Sequence, residues 1–209
     1  SDLDEARLAD WLAANVAGFA GPIAVTKFPG GQSNPTYRID AGASAYVLRR
    51  KPFGPILPSA HAVEREYALI AALHPTGFPV ARPYGLCEDP GVLGAPFYIM
   101  EMVEGRTLWD GALPGMAPAE RTAHYEAIVD TLAALHAVEY EAVGLGGYGR
   151  PGNYFARQVE RWSKQYRMSQ TDDLPEVERL IEWLPRTVPE QTRTSIVHGD
   201  FRIDNMIFA

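Results

Sequence analysis

The stretch SIVHGDFRIDNMIFA, residues 195–209, sets His198, Asp200, Asp204 and Asn205 within eight positions, behind the apolar pair Ile196 and Val197. The spacing is H-x-D-x-x-x-x-N, with Gly199 between the histidine and the first aspartate. An aspartate in a loop after a short strand can accept a hydroxyl proton as an alcohol attacks phosphorus. An asparagine five residues on, where the loop folds back, can offer its amide oxygen to Mg²⁺. His198 is better suited to supporting the loop by packing and hydrogen bonding than to transferring protons. Two other readings stay open: a surface turn rich in polar residues, and a metal-hydrolase site built from His198, Asp200 and Asp204. The second needs further ligands, and His61, His74, His124 and His136 form no ligand motif.

Outward from this stretch, Ser195 to Val197 reads as a short strand, and Met206 to Phe208 as the start of another. Upstream lie helices over about 154–168 and 175–184, a glycine-rich loop at 144–154, and a long helix from Pro118 to Val138. The first half is strand-rich. After an amphipathic helix over 2–17, strands are expected at Ile23 to Phe28, Thr36 to Ile39, Ala45 to Arg50, Arg82 to Cys87 and Phe97 to Met102. EDPGVLGAP, residues 88–96, reads as a turn. The order helix, strand, glycine loop, strand, turn, strand is an antiparallel meander, unlike the strand-loop-helix order of a dinucleotide fold. The class is α+β, with two lobes divided near Val103: residues 1–102 and 103–209.

The chain has 209 residues, 46% apolar and 22% charged, enough to bury a real core. A net charge of -7 argues against a nucleic-acid surface. The single cysteine, Cys87, excludes an internal disulfide and reads as a core residue at a strand end. No stretch is long and apolar enough to span a bilayer, and the acidic N-terminus is no signal peptide. A cytoplasmic location is expected.

The helix from about His61 to His74 carries an apolar stripe of Ala62, Val63, Leu69, Ile70 and Leu73. At 100° per residue Glu66 falls inside that stripe and Glu64 opposite it. A carboxylate facing a core needs a cation, unless the helix edge leaves it in solvent. In YVLRRK, residues 46–51, alternation puts Val47, Arg49 and Lys51 on one face and Tyr46, Leu48 and Arg50 on the other. Arg49 is the expected partner of Glu66, with Lys51 the alternative phosphate contact. The loop PGGQSNP, 29–35, lies on a hairpin, so its amides could curl over an anion, with Gly31 allowing close approach and Ser33 and Asn34 adding polar groups.

In this order the pieces resemble the aminoglycoside phosphotransferase-like kinases, within the protein-kinase-like fold. HGDFRIDN matches a kinase catalytic loop with Gly199 in place of the usual Arg. GGQSNPTYRI, YVLRRKPFGPILPSAHAVEREY, YIMEMVEGRTL and YGRPGNYFARQVERWSKQY extend the likeness from residue 30 to 208. The branch is similar to kinase domains found alone or fused to acyl-CoA dehydrogenases.

The resemblance implies an antiparallel-sheet lobe and a helical lobe that is incomplete here. It implies ATP or GTP, Mg²⁺ and a small-molecule hydroxyl acceptor, with no nucleic-acid or membrane partner and a possible association with an acyl-CoA dehydrogenase. Asp200 looks like the catalytic base, helped by His198, and Asn205 like a metal ligand. Arg49 stands where the family has a phosphate-binding lysine, and Glu66 is its helix partner. Met100 resembles the residue behind the adenine pocket, with the Glu101 carbonyl and Val103 amide as hinge groups.

The family's second metal-binding aspartate, in an I-D-W or L-D-W pattern, has no counterpart within these residues. The expectation is therefore that residues 1–209 alone are nearly inactive and prone to self-association through an unpaired strand at 206–208. A nucleotide-binding pseudokinase is the alternative reading.

Overall fold

A computed structural model describes residues 2–29, 34–52 and 62–209. It is α+β, built on a five-stranded antiparallel sheet. The strands are β1 (Ile23–Lys27), β2 (Thr36–Ala41), β3 (Ser44–Arg50), β4 (Pro83–Cys87) and β5 (Phe97–Glu101), in the order β1-β2-β3-β5-β4. The helices are α1 (Glu5–Asn15), α2 (Val63–Leu73), α3 (Pro90–Leu93), α4 (Pro118–Ala137), α5 (Tyr154–Ser169) and α6 (Pro175–Thr187). The chain divides into two compact units, Ser1–Ala137 with His198–Ala209, and Val138–Val197. That division differs from a boundary near Val103, because 103–137 and 198–209 pack with the sheet-bearing unit.

Each face of the sheet follows from strand alternation. Tyr37, Ile39 and Ala41 of β2, Tyr46 and Leu48 of β3, and Phe97 and Ile99 of β5 are buried together beneath α1. Helix α1 starts at Asp4, whose carboxylate accepts the Arg7 amide at 3.1 Å, and drives Leu8 and Leu12 into this core. Trp11 meets the edge of the Phe97 ring at 5.0 Å. It lies so close to Gly85 that a Cβ there would come within 2.9 Å of its ring. Cys87 ends β4 in the same core, where burial pushes its thiol up.

Arg50 lies on this apolar face and is only 1% exposed, which an arginine in a polar-looking run does not announce. Its guanidinium reaches the Leu93 carbonyl at 3.4 Å, the Tyr37 hydroxyl at 3.5 Å and the Asp2 carboxylate at 3.8 Å. Tyr37 donates to Asp2 at 2.9 Å. Partial burial raises the Asp2 carboxyl, but the Tyr37 hydroxyl, the backbone and the charges of Lys27 and Arg50 outweigh it and hold it below its usual range. Burial first, then the bond to Asp2, pushes Tyr37 up to about 12.

A raised folded-state tyrosine stabilises the fold fully below its unfolded value near 10, and that contribution is lost as pH rises toward 12. Unfolding free energies from urea titrations are expected to fall across this window by about 1–3 kcal/mol on account of Tyr37. Tyr37→Phe should flatten the slope. Equal slopes in parent and variant would refute the assignment.

Three expected elements differ. Ser195 to Val197 is not a strand, since a strand exists only through its ladder and these residues have no backbone partner among the described residues. Residues 88–96 contain α3 rather than a plain turn: the Asp89 carboxylate caps the Gly91 amide at 2.7 Å and Gly94 ends the helix at φ 78°. Phe208 is not an unpaired edge. Its amide donates to Arg106 and its carbonyl accepts from Arg106, both at 2.9 Å, in one antiparallel bridge. Gly105 is needed there, because a Cβ would sit 2.6 Å from the Phe208 carbonyl.

In the second unit, α5 and α6 are amphipathic and joined by an Arg167–Glu178 ion pair at 3.2 Å. The Tyr154 amide at the start of α5 donates to the Gln191 side chain at 2.8 Å. No described helix is long and apolar enough to cross a membrane.

Candidate functional site

On the sheet face opposite α1, β3 presents Val47 and Arg49, and β5 presents Tyr98 and Met100. Arg49 pairs with Tyr98 across β3 and β5, and with Thr36 across β2 and β3. Helix α2 packs against β4 and β5. Val63 and Leu73 are buried, Leu69 and Ile70 half-buried, and Glu66 points back at the strands.

The expected ion pair is present. Arg49 Nη2 donates to Glu66 Oε1 at 3.2 Å, and Arg49 Nε lies 3.0 Å from Oε2. The other two contacts on this carboxylate come from residues far away in sequence. Asn34 Nδ2 donates to Oε1 at 2.9 Å, and the Tyr98 hydroxyl donates to Oε2 at 2.9 Å. Asn34 is buried, so its amide is spent on Glu66 rather than standing open beside the glycine loop. Tyr98 is pushed well above its usual range by burial first and then by the Glu66 charge. Lys51 turns to Glu64 instead, leaving Arg49 as the cation at Glu66. Gly31 and Ser33 lie outside the described residues.

Met100 is half-buried and stands opposite Val47 across β3 and β5. The Glu101 amide donates to the Arg82 carbonyl at 2.8 Å, and its carboxylate accepts the Arg82 amide at 3.0 Å. The Val103 amide, two residues past β5, carries no hydrogen bond among the described residues.

The HGDFRIDN segment belongs to the same compact unit as the sheet. Gly199 adopts φ 85°, which a side chain there would oppose, so the replacement of the usual Arg has a backbone cause. The Asp200 amide donates to His198 Nδ1 at 3.2 Å, and the His198 ring meets Phe201 edge-on at 5.4 Å. Those contacts hold the His198 ring against its own loop. Asn205 Nδ2 donates to the Asp200 carbonyl at 3.0 Å and to its carboxylate at 2.8 Å, closing the loop across the short 3₁₀ turn Ile203–Asn205. With its amide nitrogen so used, Asn205 has Oδ1 to offer a hard cation. A Mg²⁺ that keeps most of its waters and takes one or two protein oxygens fits that donor set.

The three-ligand hydrolase arrangement fits less well. Arg202 reaches Asp204 at 2.7 Å and Asp200 at 3.4 Å, so a cation already sits between the two carboxylates. Among the described residues no group of three His, Cys, Asp or Glu converges.

Sequence periodicity found Glu66 and Arg49 but missed Tyr98 and the true use of Asn34. Both emerge only from strand register. The one signal available was that Tyr98 stands in the same strand, two residues before Met100.

A sheet with an arginine–glutamate pair on one face and an H-x-D-x-x-x-x-N loop in the same unit defines the kinase-like phosphotransferase class. Residues 24–209 match the model of the phosphotransferase enzyme family known as APH, and the chain belongs to that family. It is 50% identical to a "putative aminoglycoside phosphotransferase" from Ralstonia eutropha JMP134 of known structure. The two superpose with a TM-score of 0.89, over 99% of this chain and 60% of that one. It is 48% identical over 188 residues to acyl-CoA dehydrogenase family member 10 of Mus musculus, covering 90% of this chain but 18% of that protein. A more distant fold relative is the GDP and kanamycin complex of APH(2'')-IIIa, at 15% identity and TM-score 0.67, covering 96% of this chain and 66% of that one.

Proposed function

We propose that the chain binds ATP or GTP through Arg49 and serves transfer of the γ-phosphoryl group to a small-molecule hydroxyl. The single observation behind this reading is the Arg49–Glu66 pair, held at the stem of the glycine hairpin. In this proposal the sheet and α2 hold the nucleotide, and Val103 and residues 198–209 of the same unit supply the hinge and the catalytic loop. Arg49 Nη1 is the guanidinium edge turned toward ligand phosphates, the other edge being engaged by Glu66. The Glu101 carbonyl and Val103 amide hold the base, with Met100 behind it.

Asp200 accepts the proton of the acceptor hydroxyl while its oxygen bonds to the γ-phosphorus. The bond from that phosphorus to the bridging oxygen breaks, and the nucleoside diphosphate leaves with the electron pair. Mg²⁺, held in part by Asn205 Oδ1, would supply charge neutralisation on the phosphates. The relative named as an acyl-CoA dehydrogenase favours a hydroxyacyl thioester over an aminoglycoside as acceptor. The APH(2'')-IIIa complex, solved with GDP, keeps GTP beside ATP. The buried lone thiol suits a reducing, cytoplasmic setting.

A thermal-shift series tests the reading. A nucleotide at a hundred times its dissociation constant stabilises by about 2.7 kcal/mol, or roughly 5–10 °C for a chain of this size. MgATP or MgGTP should give that shift and transition metals alone none. A response to transition metals only would replace the kinase reading with the hydrolase.

A further inference from the structure

We propose that Tyr98 and Asn34 are positioning residues that set the direction of Arg49 by fixing both oxygens of Glu66. The inference rests on the reading of Arg49 as the phosphate-binding cation. A carboxylate offers about four acceptor positions. Here Asn34 Nδ2 and Arg49 Nη2 donate to Oε1 and the Tyr98 hydroxyl donates to Oε2, while Arg49 Nε lies 3.0 Å from Oε2 as an ion-pair contact without hydrogen-bond geometry. Asn34 and Tyr98 are each 3% exposed, so neither polar group can turn to water without repacking. Tyr98 stands directly opposite Arg49 in the sheet, so its hydroxyl approaches Glu66 from the same face as the guanidinium.

Arginine makes this arrangement necessary. A lysine amine is a point charge that one carboxylate oxygen can hold, whereas a guanidinium is a fork whose orientation decides which edge faces the phosphates. If Glu66 rotated about its own axis, the fork would swing with it. Tyr98 from β5 and Asn34 from the root of β2 remove that freedom. Asn34 is itself fixed, because its carbonyl accepts the Thr36 hydroxyl at 3.0 Å.

Asn34 is the first described residue after the glycine loop, and its amide is tied to α2. That bond ties the foot of β2 to α2.

The test is a double-mutant cycle read by calorimetric titration with MgATP, together with the ¹⁵N resonance of the Arg49 Nε–H in ligand-free protein. Tyr98→Phe and Asn34→Ala should each weaken ATP binding about three- to tenfold. In a Glu66→Gln background Tyr98→Phe should add less than twofold, a non-additivity that a purely structural role would not produce. The Arg49 Nε–H resonance should move in Tyr98→Phe while urea stability stays close to the parent.

ATP binding within twofold of the parent in both variants, with Arg49→Ala still losing affinity, overturns the positioning role and leaves the nucleotide reading standing. Should the parent bind neither ATP nor GTP, that reading fails, and the Nε–H resonance alone decides the positioning role. A moved resonance in Tyr98→Phe supports it, and an unmoved one overturns it.

Discussion

Phosphoryl transfer is expected to fall by about a hundred- to ten-thousandfold when Asp200 is replaced by Asn, with nucleotide affinity changed by less than about twofold. The asparagine keeps the volume of the side chain and an oxygen for Asn205 Nδ2, which now bonds the Asp200 carboxylate at 2.8 Å. It cannot take a proton. If Asp200 deprotonates the acceptor, only the chemical step should suffer, so kcat falls and nucleotide binding does not. The rate is read as transfer of ³²P from the γ position to a hydroxyl acceptor, in the longest polypeptide that carries residues 1–209. A variant retaining more than about a tenth of parental turnover would remove Asp200 from the role of base. Asp204→Asn is the matched control: its carboxylate lies on Arg202 at 2.7 Å, and its loss should matter far less.

The second large effect falls on binding. Arg49→Ala should weaken MgATP by about ten- to a hundredfold, since a charge-assisted contact to phosphate is worth about 1.5–3 kcal/mol. Part of the loss comes from what remains. Glu66 would keep its negative charge with no cation beside it, facing an incoming polyphosphate. Adding Glu66→Ala to Arg49→Ala should therefore recover some affinity, and Arg49→Lys should fall between parent and Ala because it keeps charge and loses the fork. Lys51 offers a built-in comparison. It is committed to Glu64, and Lys51→Ala is expected to change affinity by less than about threefold.

The parts of this site legible in the sequence are those governed by local periodicity. A 100° helical step places Glu66 within the apolar stripe of α2, and a two-residue strand step separates Arg49 from Arg50. Each rule needs only a few consecutive residues. Tyr98 and the bond from Asn34 depend instead on how β5 and β2 register against β3, and nothing in the FYIME run encodes that partner choice. Arg50 illustrates the opposite failure. Alternation correctly put it with Tyr46 and Leu48, but an arginine does not read as core until Asp2 and the Leu93 carbonyl are seen to meet it. Ser195 to Val197 looked like a strand because β-branched and apolar residues favour one, yet without a pairing partner the preference has nothing to act on.

The H-x-D-x-x-x-x-N loop was readable for a further reason. Its residues must meet across a turn of eight positions, so the spacing itself is the geometry. Asn205 returns to Asp200 through two hydrogen bonds, and Gly199 supplies the left-handed residue that the turn requires. The lobe boundary is not local in this sense. It depends on which distant segments pack together, and residues 198–209 pack with the first half of the chain.

The most direct test of the central claim, that Arg49 held by Glu66 grips the nucleotide phosphates, is a ³¹P NMR titration of ATP with the parent protein and with Arg49→Ala. Contact through the guanidinium predicts that the β and γ resonances shift or broaden with the parent and with Asp200→Asn, and stay at their free positions with Arg49→Ala at the same concentration. Equal perturbation of those resonances by the parent and by Arg49→Ala would contradict it.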